Sequence, residues 1–277
     1  MITQQHEQTR AAWDRIATGY DEFVTPTHFT VAAEGLRRAG CRAGLRFLDV
    51  AAGSGALSIP AARLGARVLS TDMSPAMLAQ LEVRAREEGL DIETRVMDGH
   101  ALDLEDGTFD LVGSEFGVML FPDMPRGLRE MARVTRRGGH VLMNVYGNPM
   151  QVEFIAFFVQ AIHAAVPGFS GLPLDPPPLP FQLQDPGRLR RELANAGLKE
   201  VQVETTVESL EFRSGHQLWS WLINSNPIAG AILDGLNLAE EQTATIQHTL
   251  DDLVRERAGG SGIAVLTNPV HIGVATK

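Results

Sequence analysis

LRFLDVAAGSG, residues 45–55, is the stretch on which the reading of this chain turns. Leu45 to Val50 is a short apolar run carrying Asp49 near its end, and Gly53 and Gly55 follow before a helical pattern over Ala56 to Leu64. Glycines between a strand and a helix let the backbone approach a ligand closely, with the helix N–H groups facing it. A tight turn that merely needs positive φ would carry the same glycines, so the motif alone leaves both readings open.

Working outward, the same texture repeats. ARVLST (66–71) reads as a second strand, and Pro75 to Glu88 as a helix with Ser74 as N-cap and Gly89 as its stop. IETRVM (92–97) and FDLVGS (109–114) read as strands three and four, Pro125 to Arg136 as a helix ending at Gly138-Gly139, and HVLMNVY (140–146) as strand five. Strands alternating with helices imply βαβ crossovers and a parallel, doubly wound α/β sheet. Downstream come a proline-rich loop (Pro167 to Pro180), a helix (Pro186 to Ala196) and a strand within Val201 to Phe212. Two helices over Gly215 to Gly235 and Ala239 to Arg257 precede a last strand, Ile263 to Ala275, which makes seven strands. Upstream, Trp13, Ile16 and Tyr20 recur at helical steps, and Pro26 marks a break before a second helix. A single domain, 1–277, is expected, with residues 1–40, 148–185 and 213–260 forming a helical cap.

Composition narrows the function classes. The 277 residues carry a formal charge of −10, which argues against nucleic acid as a partner, because phosphate binding rests on clustered Lys and Arg. Five arginines between Arg126 and Arg137 recur at helical spacing beside Leu128, Met131 and Val134 and read as a solvated helix face. Cys41 is the only cysteine, so neither an internal disulfide nor a thiolate cluster is available. No His, Cys or Asp grouping has metal-ligand spacing, and no metal is expected. The most apolar helix, Val152 to Val166, contains Glu153, Gln160 and His163 and is too short and polar to span a bilayer. Met1 to Arg10 is polar, unlike a signal peptide, so a cytoplasmic protein acting on a small molecule is expected.

Ligands of such sheets sit beyond the carboxyl ends of the strands. Asp49 lies there on the first strand, Asp72 on the second, in VLSTDMS (68–74), and Asp98 just after the third, in VMDGHAL (96–102). An acid after strand two can accept both hydroxyls of a ribose, and one after strand three a bond from an exocyclic amine. Gathering three acids at one rim is unfavourable unless ligand or solvent meets them. Each alone could equally be a helix N-cap, Asp98 most of all.

These residues, taken with WDRIATGYD (13–21), TDMSPAML (71–78), GTFDLVGSEFG (107–117) and RRGGHVLM (136–143), resemble the class I S-adenosylmethionine-dependent methyltransferases. The resemblance is strongest to the group that includes the ubiquinone and menaquinone biosynthesis C-methyltransferases, and it covers Trp13 to Tyr146. Ala51 stands where many members have glycine. The resemblance implies a Rossmann-like fold that binds S-adenosylmethionine and releases S-adenosylhomocysteine. Asp49 and the turn from Ala51 through Gly53 to Gly55 would hold the methionine end and Asp72 the ribose. Met73 would pack on the adenine, Asp98-Gly99 would read its amino edge, Ser114 would approach with its backbone, and Tyr20 would help close the site.

Methyl transfer from a sulfonium requires positioning and exclusion of water, and a base only where the acceptor must lose a proton. His28, His100, Glu115 and His163 are candidates for that base, each with an ordinary packing, capping or surface role as its alternative. Phe116, Met119, Leu120 and Phe121, with Phe154, Trp219 and Trp221 from the inserted helices, suggest an aromatic acceptor pocket, against the alternative of plain core packing. Carbon, oxygen and nitrogen acceptors all remain open. Two rivals stand beside this reading. A nicotinamide-dependent oxidoreductase would want a third glycine where this chain has Ser58, and a non-enzymatic cofactor-binding or scaffold protein could keep the same fold.

Overall fold

In a computed structural model, which describes residues 2–171, 177–225 and 227–277, seven strands form one sheet in the order β3-β2-β1-β4-β5-β7-β6. The strands are β1 (Arg46–Val50), β2 (Arg67–Asp72), β3 (Ile92–Val96), β4 (Phe109–Glu115), β5 (Thr135–Tyr146), β6 (Lys199–Phe212) and β7 (Ala264–Thr276). Strands β1 to β5 pair in parallel, while β7 runs antiparallel to both β5 and β6. The expected α/β sheet, doubly wound and mainly parallel, is present. Its centre is built as such sheets must be, from strands buried on both faces: Phe47, Leu48, Val50, Leu111, Val112, Val141, Leu142 and Val145 are fully buried.

The helices are α1 (Ile2–Gly19), α2 (Thr25–Arg38), α3 (Ser58–Arg63), α4 (Pro75–Glu87), α5 (Met124–Val134), α6 (Glu153–Ala165), α7 (Pro186–Asn195), α8 (Gly215–Ser225), α9 (Pro227–Leu236) and α10 (Glu240–Ala258). Ser74 caps α4 as expected, its hydroxyl accepting from Met77 N at 3.1 Å. Helix α5 stops at Val134, short of Gly138, because the carbonyls of Arg133 and Val134 are taken by the N–H groups of Gly107 and Thr108. Pro26 does not break the first pair of helices. It lies in the first turn of α2, where its missing N–H costs nothing, and a π-helical turn, Tyr20–Val24, joins α1 to α2. The helix expected over 215–235 is present as α8 and α9, which lie on either side of residue 226, itself outside the described residues.

Helices α6, α8 and α10 pack on one another, α8 also packs on the π-helical turn, and α1 touches α4, α8 and α9. Of the proline-rich loop, residues 172–176 lie outside the described residues, and Leu179–Phe181 forms a 3₁₀ turn. On α5, Arg133 is held by Glu130, Asp106 and the carbonyls of Leu102 and Leu104, and Arg136, just beyond the helix on β5, by Asp110. This is the solvated, internally paired surface read from the spacing. Among the described residues no helix is long and apolar enough to cross a membrane.

Candidate active site

Strand register brings the three acids to one rim. Asp49 pairs with Ser70 of β2 on one side and Gly113 of β4 on the other. Asp72 pairs with Val96 of β3, two residues before Asp98. Asp49 is fully buried. Its Oδ2 accepts from Ser58 Oγ at 2.6 Å, which in turn lies 2.7 Å from Ser70 Oγ. Its Oδ1 meets no partner among the described residues. Burial carries this carboxyl up to about 7, against the Ser58 hydrogen bond and with help from the charge of Asp72.

The turn after β1 is held open by backbone geometry. Ala51, Gly53 and Gly55 have φ of 57°, 54° and 100°, and a Cβ on Gly55 would come within 3.0 Å of Leu81. Ala51 tolerates the left-handed region at a cost of roughly 1 kcal/mol relative to glycine. Asp72 ties this turn to the next helix: its Oδ2 accepts from Gly53 N at 2.9 Å and its Oδ1 from Ser74 N at 2.8 Å. Burial raises this carboxyl too, against those backbone hydrogen bonds. With Met73 N–H also acting on it, the carboxylate still keeps lone-pair capacity for a ligand. Met73, beside it, is half-buried.

Asp98 caps a turn. Its Oδ1 accepts from His100 N at 2.9 Å and lies 2.7 Å from His100 Nδ1, while His6 Nε2 lies 3.5 Å from its Oδ2. Partial burial works against the charge, but these contacts outweigh it and lower the carboxyl. The capping alternative therefore applies in part, to a turn rather than a helix. At Gly99 a Cβ would come within 2.6 Å of the Phe121 ring. Ser114 is buried and its Oγ accepts from Val118 N at 3.0 Å, fixing the bend after β4.

Next to this rim, beyond β4 and β5, lies a cavity of about 110 Å³. Phe116, Met119 and Leu120 line it from the bend after β4, and Tyr146 from the end of β5. Phe154 and Phe158 enter from α6, Trp221 and Leu222 from α8, and Trp13, Tyr20 and His28 from the N-terminal helices. Phe116, at φ 51°, stacks on Tyr146 with centroids 4.3 Å apart, and Trp221 packs on Phe154 at 4.8 Å. Tyr20 belongs to both regions: it lines the cavity, and its ring is 3.6 Å from where a Cβ on Gly53 would stand. Burial, then the charges of Glu115, Asp72, Glu208 and Asp49, push its hydroxyl up and keep it protonated.

Two buried acids stand behind the aromatic wall. Glu208 of β6 lies 2.7 Å from His28 Nδ1 through its Oε1, and its Oε2 accepts from Asn268 at 3.3 Å. Glu115 accepts from Asn144 Nδ2 at 2.6 Å, with its Oε1 unpartnered among the described residues. Burial, reinforced by the charges of Glu208 and Asp49, raises the Glu115 carboxyl well above the usual range, despite the Asn144 bond.

Of the candidate bases, only His28 lines the cavity. His100 is held by Asp98 and stacks on Phe121 at 4.3 Å, and His163 is exposed on α6 beside Phe169. Phe121 and Trp219 also lie outside the cavity lining. Sequence reasoning missed Tyr146, Phe181 and Glu208. Tyr146 ends a strand, the position the geometric rule singles out. Glu208 sits in phase with buried Leu210 and Phe212 on an alternating strand, a signal that was there to find. Nothing local marked Phe181.

Residues 48–143 match the family described as "Methyltransferase domain". An uncharacterized protein of Mycobacterium tuberculosis is 38% identical over 140 residues, 50% of this chain and 51% of that protein. The chain spans about half the length of this and the other mycobacterial relatives that head the matches. A demethylmenaquinone methyltransferase of Mycolicibacterium vanbaalenii is 30% identical over 175 residues, 61% of this chain and 73% of that enzyme. Among solved structures, the YcgJ protein of Bacillus subtilis superposes with a TM-score of 0.57 at 16% identity, covering 89% of this chain and 97% of that one, a likeness of fold.

Proposed function

We propose, from the premise that this chain belongs to the class I S-adenosylmethionine-dependent methyltransferases, that it moves the cofactor's methyl group to a small, largely apolar or aromatic acceptor. One observation carries the reading: an aromatic cavity adjoins the acid-lined carboxyl rim, and Tyr20 faces both.

The rim fits the cofactor on its own chemistry. A buried carboxylate oxygen without a partner, Oδ1 of Asp49, requires a hydrogen-bond donor, and the ammonium at the methionine end of the cofactor is one. Asp72 keeps lone pairs for ribose hydroxyls. Met73 and the Asp98-Gly99 turn would border the adenine, and Ser114 would hold the backbone beside it. When bound, the cofactor supplies a methyl group already activated on a sulfonium. The protein's share is then to bind, to orient and to exclude water. Phe116, Tyr146, Phe154 and Trp221 would form the acceptor walls. Helices α1 and α2, with the segments 148–185 and 213–260, would act as a cap over the rim. Of these segments, 172–176 and 226 lie outside the described residues. The acidic surface suits a small acceptor rather than nucleic acid, and a cytoplasmic setting suits the cofactor.

Calorimetry with S-adenosylhomocysteine tests this directly. Binding in the micromolar range, about −8 kcal/mol, is expected. Asp72→Ala should lose roughly 1.5–3 kcal/mol of it, as befits charge-assisted hydrogen bonds. Undiminished binding by that variant would remove Asp72 from the site, and preferential binding of a dinucleotide would overturn the reading.

A further inference from the structure

Among the described residues that line the aromatic cavity, His28 alone carries an imidazole, and it is braced from behind. Both His28 and Glu208 are 3% exposed in their side chains. The Nδ1 of His28 faces Glu208 Oε1 at 2.7 Å, and Asn268 holds the other carboxylate oxygen at 3.3 Å. The ring is packed between Phe116, at 4.8 Å, and Trp221, at 6.3 Å. An Nδ1–H donated to a buried carboxylate settles the tautomer and leaves the Nε2 lone pair as the imidazole's free basic position. Among the described residues nothing occupies Nε2, and the ring forms part of the cavity surface.

We infer that His28 is the general base of this site, that Glu208 positions it, and that the acceptor bears an acidic O–H of the phenol or enol kind. This deepens the methyl-transfer reading and rests on it. The chemistry selects the acceptor class. Imidazole ordinarily titrates near ~6.5 and a phenol near ~10, a gap that proton transfer within a hydrogen bond can bridge as charge leaves the oxygen. An aliphatic alcohol is much the weaker acid, and the aromatic walls of the cavity suit a flat conjugated ring better than an alkyl chain.

In the step, the acceptor's O–H proton passes to Nε2. The electron pair of the oxygen, or of the ring or enol carbon conjugated with it, forms the new bond to the methyl carbon. The carbon–sulfur bond breaks with its pair remaining on sulfur. The imidazolium so formed is paired with Glu208; for a carbon acceptor the ring proton then passes to water as the acceptor oxygen takes back the proton held on Nε2, which restores conjugation and the free base.

The surroundings sharpen the test. Glu208 from β6 meets the His28 ring, Tyr20 from the π-helical turn and Tyr146 from β5 line the cavity, and Glu115 at the end of β4 is close enough to act on both tyrosines. Burial keeps both tyrosines protonated, and Glu208 and Glu115 oppose a bound anion, so protonated His28 is the cation that a phenolate can meet among the described lining residues.

The probe is 4-nitrophenol, whose visible absorbance distinguishes phenolate from phenol, added to the full chain saturated with S-adenosylhomocysteine. Wild type should bind it with the phenolate band displaced to a pH below that of the free compound. His28→Gln should abolish that displacement, and Glu208→Gln should shrink the bound phenolate fraction about tenfold. Should His28→Gln fail to fold, ¹⁵N NMR of the wild-type histidines decides: Nδ1 protonated, and Nε2 gaining a proton as 4-nitrophenol is added. A phenolate band unchanged in His28→Gln, a wild type that does not bind 4-nitrophenol at millimolar concentration, or an Nε2 resonance that ignores it would each overturn the inference. Binding of S-adenosylhomocysteine, measured alongside, should be equal within twofold in wild type and His28→Gln. Its absence from the wild type would sink the methyltransferase reading instead.

Discussion

Replacing Asp49 with asparagine should stabilise the free protein while damaging the site. Asp49 is fully buried, one of its oxygens has no partner among the described residues, and burial carries its carboxyl from the ordinary 3.8 up to about 7. A folded pKa raised above the unfolded one means that the native state holds the extra proton between those two values. The associated stability is therefore complete below about 3.8 and is lost as pH rises through about 7. That gap corresponds to ~4 kcal/mol at most, falling by about 1.4 kcal/mol per pH unit across the window. Asparagine fills the same space, keeps an acceptor for Ser58 and has no charge to desolvate. Urea unfolding of both proteins from pH 4 to 8 measures the effect. The two should be close at pH 4, and Asp49→Asn should become more stable by ~2–4 kcal/mol at pH 8. The same substitution should weaken S-adenosylhomocysteine by more than about tenfold, a stability gain exchanged for function. Stabilities that run parallel with pH would show that the Asp49 carboxylate is not desolvated in the free protein, and the argument from its orphaned oxygen would fall with it.

Gly117→Ala places a Cβ within 2.6 Å of Ala51 Cβ and 2.8 Å of Ala51 O. It should destabilise by about 1–3 kcal/mol, with partial rescue by Ala51→Gly, and a neutral result in thermal unfolding would contradict the packing of the rim. Removal of residues 1–22 takes away Asp14, which accepts from Ser74 Oγ at 2.6 Å, and Asp21, which pairs with Arg84 at 2.9 Å. Turnover should drop on the order of 100-fold with a core that still melts cooperatively, and a stable truncated protein working at full rate would dismiss the cap. Exhaustive chelation should leave turnover unchanged, because a sulfonium methyl needs no Lewis acid. Loss with EDTA and recovery with Mg²⁺ would point to a metal-assisted oxygen transfer instead.

The sheet was legible because its signals are local. Apolar runs such as FDLVGS, punctuated by glycines and by Ser74 at the head of α4, declare strand and helix without reference to distant residues. The end of α5 was misplaced for a tertiary reason. It depends on Gly107 and Thr108 reaching across to take helix carbonyls.

For the site, the sequence by itself determined the rim. Asp49, Asp72 and Asp98 follow consecutive strands, and a parallel sheet brings the ends of its strands to one edge whatever surrounds them. What the rim faces was decided only by the tertiary structure. His28, His100 and His163 were equivalent as letters, each a histidine near the expected site, and only packing puts one of them in the cavity with a carboxylate 180 residues away behind it. That separation follows from β7 entering antiparallel between β5 and β6, which carries Glu208 back toward the N-terminal helices. Burial then gives the pair its character, because a charge held out of water acts strongly on its nearest neighbour, and which neighbour that is depends on the fold.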